Sequence, residues 1–252
     1  MEDNDKDHPL LGGAEGSVLG NIKKKLIDTK EKWAAEGRGL SDEAKSGNPR
    51  EESMVGHNSA GQNRLPPGQR LTKDWPVLDL GVQPAVPKDQ WTFSASGLIE
   101  NPISWSWDDF MAQPQVTLTT DIHCVTTWSR YDNIWDGVTA KQFLSVVKPK
   151  PEAKFLIFHS HDGYTTNVPL ARFDDDDVML AHRWNGEDIA RGHGGPMRPV
   201  IPKLYLWKSA KWVKHVTFLD KDAPGFWEVR GYHNQGDPWK EERYGLPLGL
   251  NR

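Results

Sequence analysis

Apolar and polar residues alternate over 91–99 (WTFSASGLI), a period of two that predicts a strand, and Glu100-Asn101-Pro102 closes it as a turn. Residues 106–111 (SWDDFM) read as a short capped helix, and 116–121 (VTLTTD) as a strand that delivers the chain to His123-Cys124. Beyond the cysteine, the polar and Trp-rich stretch reads as a loop, and 137–147 (GVTAKQFLSVV) as a helix. Residues 154–159 and 164–169 suit two strands joined by His161-Asp162-Gly163, and Val213–Leu219 and 226–232 are late strands. Strands and short helices intermix without a regular βαβ repeat, which predicts an α+β fold, a mixed sheet with short helices.

The texture changes near position 71. Of 25 aromatic residues, only Trp33 lies before it, and the polar composition of residues 1–70 cannot bury enough apolar surface to offset chain entropy. The expected organisation is therefore a polar N-terminal arm, 1–70, followed by one folded domain, 71–252. Within the arm, residues 18–35 carry apolar positions at helical spacing and predict a short amphipathic helix.

Charge narrows the function classes. A formal net charge of −4 gives no electrostatic case for nucleic acid as the main partner. No apolar run is long enough for a membrane span, and the acidic N-terminus lacks a signal sequence, so the expected location is the cytoplasm. One cysteine forms no internal disulfide, which fits a reducing compartment. The four aspartates at 174–177 read as a solvated turn, because neighbouring carboxylates do not all converge on one ion.

Three clusters carry candidate chemistry. Cys124 follows a strand; a lone cysteine reads more often as a small buried apolar residue, or else as a thiolate that suffices as a metal ligand if an organic cofactor supplies the others. The second cluster, Gly192-His193-Gly194-Gly195-Pro196-Met197-Arg198, combines glycines that let backbone approach an anion with an arginine fork. It lacks the Gly-Lys-Ser/Thr ending of a P-loop. The third, Tyr205-Leu206-Trp207-Lys208-Ser209-Ala210-Lys211-Trp212, sets two lysines and a serine among aromatics, either an anion site or a surface strand edge. Two rival readings of Cys124 are a nucleophile paired with one of nine histidines, and a zinc ligand, for which no paired ligand spacing exists. A non-catalytic binding module is a further alternative.

Taken together and in this order, the clusters resemble the oxidoreductase molybdopterin-binding domain of the sulfite oxidase family, over roughly residues 71–252. Residues 231–244 (GYHNQGDPWKEERY) resemble its short stand-alone bacterial members. The resemblance implies a molybdenum–molybdopterin cofactor, with Cys124 on the metal, and His193, Arg198, Ser209, Ala210 and Lys211 around the pterin and its phosphate. Ser160 matches a small hydroxyl position of the methionine sulfoxide reductase branch. A further contact is expected from residues 64–75, with Arg70 and Thr72 as candidates. The implied reaction moves an oxygen atom and two electrons to or from a small sulfur- or nitrogen-containing substrate, as in sulfite oxidation or sulfoxide reduction. Arg130 or His123 is expected to line the substrate pocket if the substrate is an anion, whereas Trp128 and Trp135 would suit a neutral oxide. The single cysteine excludes a Cys-ligated iron–sulfur cluster and no haem is expected, so electrons are expected to pass to or from an external donor or acceptor protein. Without the dimerisation domain of larger relatives, a monomer is expected.

Overall fold

The structure is a computed structural model and describes residues 61–245; the helix expected over 18–35 lies outside the described residues. All the elements below lie in one of the two units into which the chain divides; residues 78–82, in the other, bear no regular element.

Eleven strands build two sheets among the described residues. The first comprises β1 (Arg70–Leu71), β4 (Val116–His123), β5 (Trp128–Thr139), β8 (Met179–Trp184), β9 (Glu187–Asp188) and β10 (Arg198–Val200). Its centre is β5, which pairs antiparallel with β4 along one edge, and on the other with β1 in parallel and then β8 antiparallel. The second sheet runs in the order β3 (Ile103–Ser106), β2 (Thr92–Gly97), β11 (Val213–Leu219), β6 (Phe155–Ser160) and β7 (Thr165–Pro169). Only its β2–β11 contact is parallel.

Helix α1 (Trp107–Met111) begins at Ser106, whose side chain accepts from the Asp109 amide while the Asp109 carboxylate accepts from the Ser106 amide. Helix α2 (Ala140–Val147) is capped by Thr139 and buries Ala140, Phe143, Leu144 and Val147, the i, i+3, i+4, i+7 face of an amphipathic helix. Phe143 carries it onto the second sheet, within 5.7 Å of Phe93 and 6.3 Å of Phe218 between ring centroids. A third short helix, α3 (Leu170–Phe173), follows β7 and adds Phe173 to the same core, 6.1 Å from Phe143. The first sheet has its own apolar cluster, with Ile122, Cys124, Trp128, Trp135, Met179, Ala181, Ile189 and Val200.

The mixed sheets with few short helices are those of an α+β fold. Three elements differ from the sequence expectation. The stretch read as a loop after Cys124 is the 12-residue strand β5, because its polar residues are bonded to neighbours: Asn133 donates to the carbonyls of Thr120 and Arg130. Helix α2 starts only at Ala140, since residues 137–139 complete β5; a Cβ on Gly137 would lie 2.1 Å from the Leu180 carbonyl oxygen across the ladder. Residues 226–232 are not a strand but hold the 3₁₀ turn Glu228–Arg230, drawn inward by the buried Glu228. Residues 64–71 pack on the first sheet: Arg64 pairs with Asp121, and the Arg70 amide donates to the Thr127 carbonyl at 3.0 Å. No helix among the described residues is long and apolar enough to cross a membrane.

Candidate functional site

Strand β4 hands the chain to Cys124 at the start of a tight connection to β5. The Cys124 amide donates to the Trp128 carbonyl at 2.8 Å, the Thr127 amide donates back to the Cys124 carbonyl at 3.1 Å, and Thr127 takes a φ of 75°. This geometry fixes the thiol, which is 5% exposed. Sγ lies 3.1 Å from Thr126 Oγ1, and no histidine among the described residues hydrogen-bonds to it, so none of them is engaged as the base that a nucleophilic thiol needs. Burial pushes the Cys124 thiol up, against the bonds from Thr126 and the positive charges of Arg243 and Lys211. Such a thiol stays protonated at neutral pH until something such as a metal cation stabilises its thiolate.

Two distant segments close around this turn. Gln69 Nε2 donates to the Cys124 carbonyl at 3.0 Å, and Arg243 Nη1 donates to the Val125 carbonyl at 2.6 Å. The Arg243 guanidinium also lies 5.1 Å from the Tyr205 ring centroid. The Tyr205 hydroxyl and the Gln69 side chain lie close enough to interact, and burial pushes Tyr205 up against the opposing charge of Arg243. Gln69, Tyr205 and Arg243 lie in three segments that the sequence singles out, 64–75, 205–212 and 231–244, but nothing in spacing shows that these three residues meet.

The second and third clusters interlock. Lys211 Nζ donates to the Gly192 carbonyl at 2.6 Å, and Trp212 Nε1 donates to that of Arg191 at 2.8 Å. Gly194, with φ 99°, makes this approach possible: a Cβ there would lie 2.7 Å from Lys211 Cβ. Arg198, on β10, donates from Nη1 to the His193 carbonyl at 2.8 Å and from Nη2 to the Ser209 carbonyl. Ser209 Oγ in turn accepts from the Ile201 amide at 3.0 Å, and Ala210 is buried. Ser160 ends β6 opposite Val213, and His161 beside it donates from its amide to the Trp212 carbonyl at 2.9 Å.

Within this nest, Ser160 Oγ, His193 Nδ1 and Arg198 Nε are buried and have no hydrogen-bond partner among the described residues. Arg198 is 3% exposed, and no carboxylate among the described residues forms a salt bridge with it. Burial pulls its guanidinium down to about 10, against an opposing effect from Tyr164. A buried cation without a counter-charge is costly, and a bound anion would remove that cost. Burial and the charges of Arg198 and Lys211 push His193 down to about 4, so its imidazole is neutral at pH 7. Its ring stacks on Trp75 at 3.8 Å between centroids and 12° between planes. The donor set therefore fits an anionic, phosphate-bearing ligand.

Other sequence candidates lie elsewhere. Lys208 is fully buried and bonds to Asn167 and, at 2.6 Å, to Glu228, so it braces the loop from inside instead of facing an anion. Arg70 contributes backbone pairing to β5, and Thr72 Oγ1 accepts from the Asp74 amide at 3.1 Å. Arg130 donates to the Lys73 carbonyl at 3.0 Å and to Asn133, and lies over the Trp184 ring at 4.7 Å. His123 Nδ1 is 2.8 Å from Ser129 Oγ, and the residue lines a cleft of 290 Å³ with Arg64, Asp121, Lys203 and Trp239, whose wall does not include Cys124. The aspartates at 174–177 are ion-paired to Lys141 and Lys203, and among the described residues no group of three His, Cys, Asp or Glu suits a metal ion.

Comparison with known proteins points the same way. The profile of the oxidoreductase molybdopterin binding domain matches residues 80–227. The chain is 43% identical over 182 residues to the uncharacterized oxidoreductase YuiH of Bacillus subtilis, covering 72% of this chain and 92% of that one. It is 29% identical over 138 residues to the putative protein-methionine-sulfoxide reductase subunit YedZ1 of Azospira oryzae, covering 55% and 52%. Against the NADPH nitrate reductase of Beauveria bassiana the identity is 26%, covering 68% of this chain but only 24% of the enzyme. Among solved structures, the sulfane dehydrogenase SoxCD from Paracoccus pantotrophus superposes with a TM-score of 0.50 at 25% identity, covering 55% of this chain and 40% of that one.

Proposed function

Because the chain belongs to the oxidoreductase molybdopterin-binding domain family, we propose that it is a molybdenum-dependent oxidoreductase acting on a small sulfur- or nitrogen-containing substrate. Relatives named for methionine sulfoxide, sulfane and nitrate chemistry support that substrate range. When bound, the molybdenum–molybdopterin cofactor supplies the two-electron change and the transfer of an oxygen atom.

The chain's own residues hold and orient. Cys124 would be the protein ligand to the metal, which its buried thiol would hold as the thiolate. Arg198, His193, Ser160, Ser209, Ala210 and Lys211 receive the pterin and its phosphate, with Arg198 as the main charge. On the thiol side, Gln69, Tyr205 and Arg243 offer the amide, hydroxyl and guanidinium that would orient a substrate oxygen. Electrons pass to or from an external carrier protein.

The observation that carries this reading is the buried Arg198 cation, without a salt bridge among the described residues, bonded to the His193 carbonyl while His193 Nδ1 and Ser160 Oγ have no hydrogen-bond partner among them. Protein purified from a host competent in molybdopterin synthesis is expected to carry molybdenum and pterin in equal amounts. Protein from that host with neither would overturn the assignment.

A further inference from the structure

Trp75 lies in the segment 64–75, yet it touches the cofactor pocket through ring contacts that no motif marks. Its indole is held on two sides, edge-on to Trp135 at 5.3 Å and 89° and to Trp184 at 4.8 Å and 62°. Trp135 is itself 1% exposed, so the indole rests on a fully buried partner. On its free face lies the His193 imidazole, nearly parallel at 3.8 Å. The Arg198 guanidinium sits 5.6 Å from the Trp75 centroid. One indole thus contacts both side chains whose nitrogens, His193 Nδ1 and Arg198 Nε, have no hydrogen-bond partner among the described residues.

We propose that Trp75 is a positioning residue for the pocket: its indole fixes the ring plane of His193 and covers the Arg198 guanidinium, so that both unpartnered nitrogens are offered to one anionic ligand. The inference rests on the cofactor assignment above and deepens it. The physical case has two parts. An imidazole rotates freely about its side-chain bonds unless something holds its face, and a rotated ring would spend Nδ1 on another acceptor or on water. A desolvated guanidinium is stabilised by the negative face of an indole, which keeps Arg198 charged and in place before its anion arrives.

A cycle of variants in the full chain tests this, with cofactor release as the readout, followed by fluorescence of the liberated pterin. Trp75→Leu is expected to speed release about five-fold or more in the wild-type background, but by a clearly smaller factor in a His193→Gln background, because the part of the effect that runs through the imidazole is then gone. Trp75→Phe, which keeps a stacking ring, should stay within about two-fold of wild type. Equal acceleration in both backgrounds would show a merely structural role and overturn the proposal, as would no acceleration at all. If Trp75→Leu does not fold, Trp75→Gln takes its place in the same cycle with the same two criteria. Wild-type protein that carries no cofactor would instead overturn the assignment on which the proposal rests, so the two failures are distinct.

Discussion

Lys211 Nζ lies 2.6 Å from the carbonyl oxygen of Gly192, a contact that ties together two sequence clusters separated by a strand. The lysine is oriented by backbone before any ligand arrives, and the glycines beside it set how closely the two segments approach. Gly195 is the most constrained: a Cβ there would fall 1.9 Å from the Ile189 carbonyl oxygen, and backbone has no flexible end to yield. Gly195→Ala is therefore expected to cost about 3 kcal/mol or to prevent folding. Urea unfolding measures the loss, and the same substitution at Gly186, where a Cβ meets nothing within 4 Å but φ is +83°, should cost only the smaller backbone strain of about 1 kcal/mol.

Arg198 separates a binding role from a structural one. Arg198→Met removes donors to the His193 and Ser209 carbonyls, but it also removes a buried cation without a partner carboxylate. The two effects oppose each other and are of similar size, so the cofactor-free variant should lie within about 2 kcal/mol of wild type. Cofactor retention should fall much further, by about ten-fold or more, since a charge-assisted contact is worth about 1.5–3 kcal/mol. Thermal melting of the empty protein beside its pterin content after purification checks both halves.

The Lys208–Glu228 pair predicts the opposite balance. Both side chains are buried, 2.6 Å apart, and Glu228 also accepts from Trp207 and Thr166. Lys208→Met leaves that carboxylate without its cation and should cost about 3–5 kcal/mol. Adding Glu228→Gln should recover part of the loss, and chemical denaturation of the single and double variants reads the difference.

Acid should weaken the fold in a defined direction. In the native state His193 titrates at about 4, below its ordinary 6.5, because burial and the Arg198 and Lys211 charges disfavour imidazolium. The unfolded chain therefore binds a proton that the native one refuses as pH falls from about 6.5 to about 4. The stabilisation is complete above this window and is lost through it. Other histidines are shifted in the same direction, so His193→Gln should make the acid branch of the melting-temperature profile shallower without abolishing it.

The periodic elements were legible in the sequence because one face of each is buried. Helix α2 reads from Phe143, Leu144 and Val147, and β11 from the alternation that buries Val216 and Phe218. Strand β5 was not, since Arg130, Asp132, Asn133 and Asp136 look like a loop until their partners are known. Residues 226–232 misled for the converse reason: an apolar pattern there is overridden by the inward pull on Glu228 from Lys208, Trp207 and Thr166. In the candidate site, the order of Cys124, His193–Arg198 and Ser209–Lys211 was readable as motif. The orphaned nitrogens, the Trp75 stack and the approach of Gln69, Tyr205 and Arg243 arise only from tertiary packing.

The central claim is that Cys124 is the protein ligand to molybdenum. The most direct test counts the sulfur atoms bound to the metal by X-ray absorption at the molybdenum edge, in wild type and in Cys124→Ser, on protein whose pterin content is measured in parallel. The account predicts about one metal-bound sulfur fewer in the variant that still holds pterin. An unchanged sulfur count in loaded Cys124→Ser would contradict it.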